Sequence, residues 1–109
     1  MNNGASKSIV LKLACKDGNE NVVKYIIEHG ANVNRTSYSR PTPLLNTCSI
    51  GNINILKYLV EHGADVNRKD RCGNLPLVKA CFNGNINIVK YLVEHGANIN
   101  IEDKNEYTP

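Results

Sequence analysis

The stretch that decides the fold is LVEHGADVN at residues 59–67, because its last six residues recur almost unchanged on both sides of it. Residues 29–34 read HGANVN and residues 95–100 read HGANIN, so successive copies are 33 residues apart. Self-similarity at a fixed period of about 20 to 50 residues is typical of repeat architectures. The chain is therefore predicted to consist of stacked units with a common plan.

Other residues share this period, and no insertion interrupts it. A cysteine, a glycine and a Lys-Tyr pair each recur in register, at Cys15, Cys48 and Cys81, at Gly18, Gly51 and Gly84, and at residues 24–25, 57–58 and 90–91. A chain of 109 residues fits one small domain. We predict a single domain over residues 1–109, with repeats at about 9–41, 42–74 and 75–107, and a further repeat beginning at 108–109.

Each repeat is predicted to hold two helices and a turn-rich segment. Thr42 supplies a capping side chain and Pro43 fits the first helical position, while Gly51 ends this first helix. Apolar residues then recur with helical spacing until Gly63, at Ile55, Leu56, Leu59 and Val60. The following residues, 64–73, are polar and rich in turn formers.

These motifs closely resemble the ankyrin repeat, from Thr42-Pro43-Leu44 through GNINI at residues 51–55 to the stretch 59–67. The resemblance extends over the chain from about Ile9 onward. It implies an all-α fold, in which stacked helix-turn-helix units joined by β-hairpin-like loops form a solenoid. It also implies a protein–protein interaction module.

The sequence departs from the family pattern at a few positions. Leu45 and Val78 replace a histidine that hydrogen-bonds near the first helix, so this polar anchor is expected to be missing. Arg40 replaces the glycine that Gly73 retains in the next hairpin, which predicts a distorted first tip. Residues 9–11 read IVL in place of Thr-Pro-Leu.

The resemblance implies that partners bind the ends of the first helices and the hairpin tips, where the residues vary between repeats. The helix ends contribute Lys16, Asp17, Ser49, Ile50, Phe82 and Asn83, and the tips contribute Tyr38, Ser39, Pro41, Lys69, Arg71, Cys72, Asn74, Lys104, Asn105 and Tyr107. Ile50 and Phe82 matter most, because apolar side chains beside a polar rim often dominate binding. Isolated apolar residues are also common on surfaces without any function.

The charges of the tips favour a partner with an acidic segment. Cationic residues cluster in the first two tips, at Arg35, Arg40, Arg68, Lys69 and Arg71, whereas the last tip carries Glu102, Asp103 and Glu106. Two other roles remain open: a spacer within a longer array, and a nucleic-acid-binding surface built from the basic tips. A formal net charge of +3 is mild for the latter role.

The repeated histidines, His29, His62 and His95, are predicted to be structural rather than metal ligands. Packed helices lie about 8–10 Å apart, too far for equivalent side chains to share one zinc ion. In the family this histidine ties down the hairpin through hydrogen bonds. The same spacing argues against disulfides, so Cys15, Cys48 and Cys81 are predicted to be reduced and buried, and Cys72 to be exposed.

No pattern of catalytic, cofactor-binding or metal-binding residues is visible, so we expect neither an enzyme, nor a cofactor, nor a small-molecule substrate. No secretory signal or membrane span is apparent, which predicts an intracellular protein, cytoplasmic or nuclear. Residues 59–67 also resemble the sequence that asparaginyl hydroxylases prefer, so Asn67 either shapes a turn or is modified.

Overall fold

The computed structural model describes residues 4–34, 42–70 and 72–99, and the regular secondary structure within these ranges is helical. Six helices follow one another there in three pairs, which confirms the predicted all-α arrangement. They are α1 (Gly4–Asp17), α2 (Glu20–Glu28), α3 (Pro43–Ile50), α4 (Ile53–Glu61), α5 (Pro76–Phe82) and α6 (Ile86–Glu94).

The helices are arranged in two layers. The first helices of the repeats, α1, α3 and α5, pack side by side in one layer, and the second helices, α2, α4 and α6, form the other. Within each repeat the two helices also pack against each other. The ends of α1, α3 and α5 therefore lie in a row on one side of the protein.

The first helices begin in three different ways. Thr42 caps α3 as predicted, since its hydroxyl oxygen accepts a hydrogen bond from the backbone N–H of Leu45 at 3.3 Å. Leu75 occupies the same position before α5 and makes no side-chain cap. In the first repeat, α1 begins at Gly4, so residues 9–11 lie inside a helix that is longer than its counterparts.

An asparagine caps each second helix, at Asn19, Asn52 and Asn85. Each side-chain oxygen accepts a hydrogen bond from the backbone N–H three residues later, at 3.1 to 3.2 Å. A glycine with positive φ precedes each asparagine and lets the chain reverse between the two helices. The recurring Gly-Asn pairs at residues 18–19, 51–52 and 84–85 therefore mark the start of every second helix.

The apolar core runs between the two layers without interruption. Equivalent leucines from the first helices are buried with aliphatic residues from the second helices: Leu11, Leu44, Leu77, Val23, Ile55, Leu56, Leu59, Ile88 and Leu92. Leu45 is also buried and Val78 is half-buried. Aliphatic side chains thus fill the positions at which the resembled family places a histidine.

The prediction that all three repeated cysteines are buried is wrong for Cys81. Cys15 and Cys48 are inaccessible, whereas Cys81 is exposed. Neighbouring first helices cover the first two, because α1 packs on α3 and α3 packs on α5. Within the described ranges, no helix packs on the other side of α5, so position 81 has the same sequence context but lacks the neighbour that would cover it.

Candidate functional site

The most exposed large apolar side chain on the first-helix layer is Phe82, the last residue of α5, at 85% exposure. Ile50, the last residue of α3, is 47% exposed. Lys16 and Asp17 end α1 and are exposed, as is Ser49. Because these three helices lie side by side, the predicted helix-end residues form one continuous surface.

Asn83 holds two of these helix ends together. Its side-chain nitrogen donates hydrogen bonds to the backbone carbonyls of Cys48 at 3.0 Å and Ser49 at 3.1 Å. The residue after Phe82 is therefore bonded to the residue before Ile50, which links the end of α5 to the end of α3. Asn83, predicted as a contact residue, thus uses its amide nitrogen within the fold.

Asp70 organises the tip between α4 and α5. Its carboxylate accepts hydrogen bonds from the backbone N–H groups of Cys72 and Asn74, both at 2.9 Å, and from the Asn74 side chain at 3.1 Å. Burial alone would raise the pKa of Asp70, but these bonds and the charge of Lys79 lower it. Asn74 is thereby fixed in the turn, and Lys69 and Cys72 remain exposed.

Seven of the sixteen predicted contact residues lie outside the described ranges. They are Tyr38, Ser39, Pro41, Arg71, Lys104, Asn105 and Tyr107. The expected distortion of the first tip at Arg40 lies outside them too.

The repeated histidines lie at the ends of the second helices, and the hairpin bonds predicted for them would involve loops that lie partly outside the described ranges. The Nδ1 atoms of His29, His62 and His95 lie 2.8 to 2.9 Å from the backbone carbonyl four residues earlier, to which they donate because a carbonyl can only accept. The residue that supplies each carbonyl is a tyrosine, and the imidazole also stacks on its ring, with ring centroids 3.8 to 4.0 Å apart. No group of three metal-ligating side chains is found in the described part of the chain.

Two asparagine side chains form hydrogen bonds between successive repeats. The Asn34 side chain donates to the carbonyl of Gly63 at 2.9 Å and accepts from the N–H of Asp65 at 2.7 Å. Asn67 repeats the pattern toward Gly96 at 3.1 Å and Asn98 at 2.9 Å. These bonds give Asn67 a structural role between repeats that the sequence analysis did not identify.

A ladder of lysine and tyrosine side chains runs along the second-helix layer. The ammonium of Lys24 lies 5.7 Å from the ring centroid of Tyr58, and that of Lys57 lies 5.8 Å from the ring centroid of Tyr91. Each lysine therefore reaches the tyrosine of the next repeat, within the range of a cation–π interaction. Removal from water raises the pKa of Tyr58, and the nearby carboxylates of Glu28 and Glu61 raise it further.

The two layers differ in charge. The first helices carry four lysines and one aspartate, whereas the second helices carry three lysines and four glutamates. The side of the protein with the exposed Phe82 and Ile50 is therefore the more cationic one. Opposite charges on a partner would favour its approach to this side.

The four cysteines are free, as predicted. Burial raises the pKa of Cys15 to about 11 and that of Cys48 to about 12, and for Cys15 a hydrogen bond with Thr47 partly offsets this effect. Buried thiols of this kind remain protonated and unreactive at neutral pH. Among the described helices, none has the length and apolar character that a membrane crossing needs.

Comparisons with known proteins agree with the repeat geometry. The family model described as ankyrin repeats, in three copies, matches residues 11–103, and a comparison with curated proteins found no match. Ankyrin repeats are generally protein–protein interaction modules, and proteins built from them are typically not enzymes. With the model matching most of its length, the chain belongs to the ankyrin-repeat family.

Proposed function

We propose that this protein binds a partner protein through the ends of its first helices and its hairpin tips. The carrying observation is the exposure of Phe82 at 85% and of Ile50 at 47%, at the ends of two first helices that Asn83 bonds together. Exposed aromatic and aliphatic residues at the centre of a polar surface are the usual composition of a binding hot spot. Phe82 contributes little to the core, since most of its surface lies in water.

The proposed contact surface keeps the predicted helix-end and tip residues, with two roles refined. Asn83 and Asn74 shape the surface through their hydrogen bonds, and four further members are exposed: Lys16, Ser49, Lys69 and Cys72. The predicted tip residues outside the described ranges remain part of the proposed contact surface. The function requires no catalytic step, cofactor or small-molecule substrate.

The partner segment is proposed to be acidic. Lys69 is exposed and lies in the basic tip, whereas Arg68 is already engaged within the fold, 3.6 Å from the Asp65 carboxylate and 3.4 Å from the Asn34 carbonyl. Lys69→Glu is therefore a cleaner test than a change at Arg68. We expect it to slow association and reduce the salt dependence of binding, with little effect on dissociation, in surface-binding kinetics at two ionic strengths.

Two other roles are less well supported. Nucleic-acid binding would use phosphate contacts from several cations, but the described helix ends combine few lysines with two apolar side chains. A passive spacer would not need Phe82 in water. An intracellular location, cytoplasmic or nuclear, fits a chain with two reduced, buried thiols and two exposed ones.

The test is affinity capture from the source cells with four versions of the full chain: native, Phe82→Ala, Ile50→Ser and Asn54→Ala. Asn54 is the control because it is exposed on a second helix, away from the proposed contact surface. We expect at least one protein to be retained by the native and control chains and lost with the other two. Captured proteins that do not change between the versions, or material released by nuclease, would contradict the proposal.

A further inference from the structure

Both ends of the described solenoid expose apolar residues at positions that the interior repeats cover. We call Ile9, Val10 and Leu13 of α1 the N-terminal flank, and they are 46%, 40% and 52% exposed. The equivalent residues of the second and third repeats are buried or half-buried: Thr42, Pro43, Asn46, Leu75, Pro76 and Lys79.

The other end shows the same contrast. We call Cys81, Ile86, Val93 and Ile99 the C-terminal flank; all four are exposed, with Ile86 at 59% and Ile99 at 61%. Their equivalents in the second repeat are buried or half-buried where the third repeat covers them: Cys48, Ile53, Val60 and Val66. Repeat arrays remain soluble when their terminal repeats have polar outer faces, and neither flank is polar.

We infer that two copies of this chain associate head to tail, with the N-terminal flank of one copy on the C-terminal flank of the other. The contacts between repeats inside the chain show how the two flanks would pack, since the C-terminal side of each repeat already packs on the N-terminal side of the next. The contact between copies continues that interface by one more step. Because the two surfaces differ, the contact is heterologous and does not close on itself.

Two kinds of contact recur between successive repeats, one between a lysine and a tyrosine and one between a glycine and an asparagine. At the ends of the described stack one member of each contact has no counterpart, and the association would supply it. Lys24 and Lys57 lie over Tyr58 and Tyr91, whereas the remaining members of the ladder are Lys90 and Tyr25, the latter 61% exposed. In the head-to-tail pair, Lys90 of one copy lies over Tyr25 of the other.

The glycines between the helices show the second contact. A Cβ atom at Gly18 would lie 3.5 Å from the Asn52 side chain, and one at Gly51 would lie 3.0 Å from the Asn85 side chain, whereas Gly84 has open space around it. Asn19, the capping asparagine of the first repeat, is exposed. Stacking of a second copy brings its Asn19 side chain against Gly84.

The association is tested by sedimentation of the full chain from low-micromolar to sub-millimolar concentration. We expect the native chain to form dimers and longer assemblies, and Leu13→Glu and Ile86→Glu each to remain monomeric. A mixture of these two variants should form a dimer with one copy of each, because each variant retains the flank that the other has lost. Asn54→Glu, at an exposed site of the middle repeat outside both flanks, is the control and should assemble like the native chain.

The cysteines provide a second readout. Alkylation of Cys81 should slow as the native chain associates, while alkylation of Cys72, which lies on a tip, should not change. A native chain that stays monomeric with reactive Cys81 throughout the concentration range would overturn the inference. Dimers of Leu13→Glu alone would overturn the head-to-tail arrangement in favour of a symmetric contact between C-terminal flanks. Circular dichroism of each variant is the control that checks whether it remains folded.

Discussion

Replacement of Gly51 by alanine tests whether the capping asparagines fix the spacing of the repeats. Gly51 has φ of 91°, which is strained for any residue with a side chain and costs about 1 to 2 kcal/mol. A Cβ atom there would also lie 3.0 Å from the Asn85 side-chain nitrogen, which is 3.4 Å from the Gly51 carbonyl oxygen. The Gly51→Ala side chain would therefore push Asn85 away from the helix end that it caps.

Displacement of Asn85 carries its own cost. Its side-chain oxygen accepts the hydrogen bond from the Ile88 N–H that begins α6, and loss of such a cap costs about 1 kcal/mol. Together with the backbone strain, we expect Gly51→Ala to lower the free energy of unfolding by about 2 to 3 kcal/mol. For a small domain this is a substantial part of its total stability.

Gly63→Ala is the matched control, because its φ of 97° is similar and a Cβ atom there meets nothing within 4 Å. It should lose only the strain term of about 1 to 2 kcal/mol. Urea unfolding followed by circular dichroism measures both variants under the same conditions. Equal losses for the two alanines would refute the proposed contact between Gly51 and Asn85 as a determinant of stacking.

Three further predictions concern the same framework. Asn67→Ala removes both bonds to the third repeat and should lower the free energy of unfolding by about 1 to 2 kcal/mol in urea unfolding, whereas Asn21→Ala on an exposed helix position should change it little. Amide hydrogen exchange should be slower at Leu59 than at Leu92 in dilute monomer, because among the described helices those of the third repeat pack against a neighbouring repeat on one side only, and the reverse order would contradict this. Cys15 and Cys48 should resist alkylation at neutral pH while Cys72 and Cys81 react. Burial raises the pKa of the first two thiols from 9.0 to about 11 and 12, so the unfolded chain releases these protons at lower pH than the folded chain does. The free energy of unfolding should therefore be unaffected by these thiols below pH 9 and fall as the pH rises from there toward 11 or 12, which urea unfolding at several pH values would show.

The sequence was sufficient to predict the helix pairs, because the glycines and the Thr-Pro pair determine the conformation of the neighbouring backbone and the repeat period shows where each pair recurs. Thr42, Pro43 and Gly51 define α3 by their own conformational preferences and do not depend on distant residues. The Gly-Asn pairs at residues 18–19, 51–52 and 84–85 carried an equally local signal for the second helices. That signal was available from the capping preference of asparagine.

What the sequence could not predict depends on neighbours. Cys81 has the same local context as Cys48, but its burial depends on whether a helix packs beyond α5. The resemblance predicted that the histidines bond to the hairpin, and it gave no sign of their hydrogen bonds to the carbonyls of Tyr25, Tyr58 and Tyr91. Equivalent residues in a repeat sequence therefore share a conformation but not an environment.

The same distinction applies to the candidate site, which a repeat sequence indicates only by where it varies. Phe82 is equivalent to Ser49 and Lys16, so the proposed binding surface changes from cationic to aromatic along the row of first-helix ends. The ends of α5 and α3 cannot move apart without breaking hydrogen bonds, because the Asn83 amide bonds the end of α5 to the end of α3. In the proposed function, stacking and partner binding therefore depend on one another. The Asn83 bonds hold together the helix ends that carry Phe82 and Ile50, and a partner that contacts both side chains would in turn stabilise the contact between the second and third repeats.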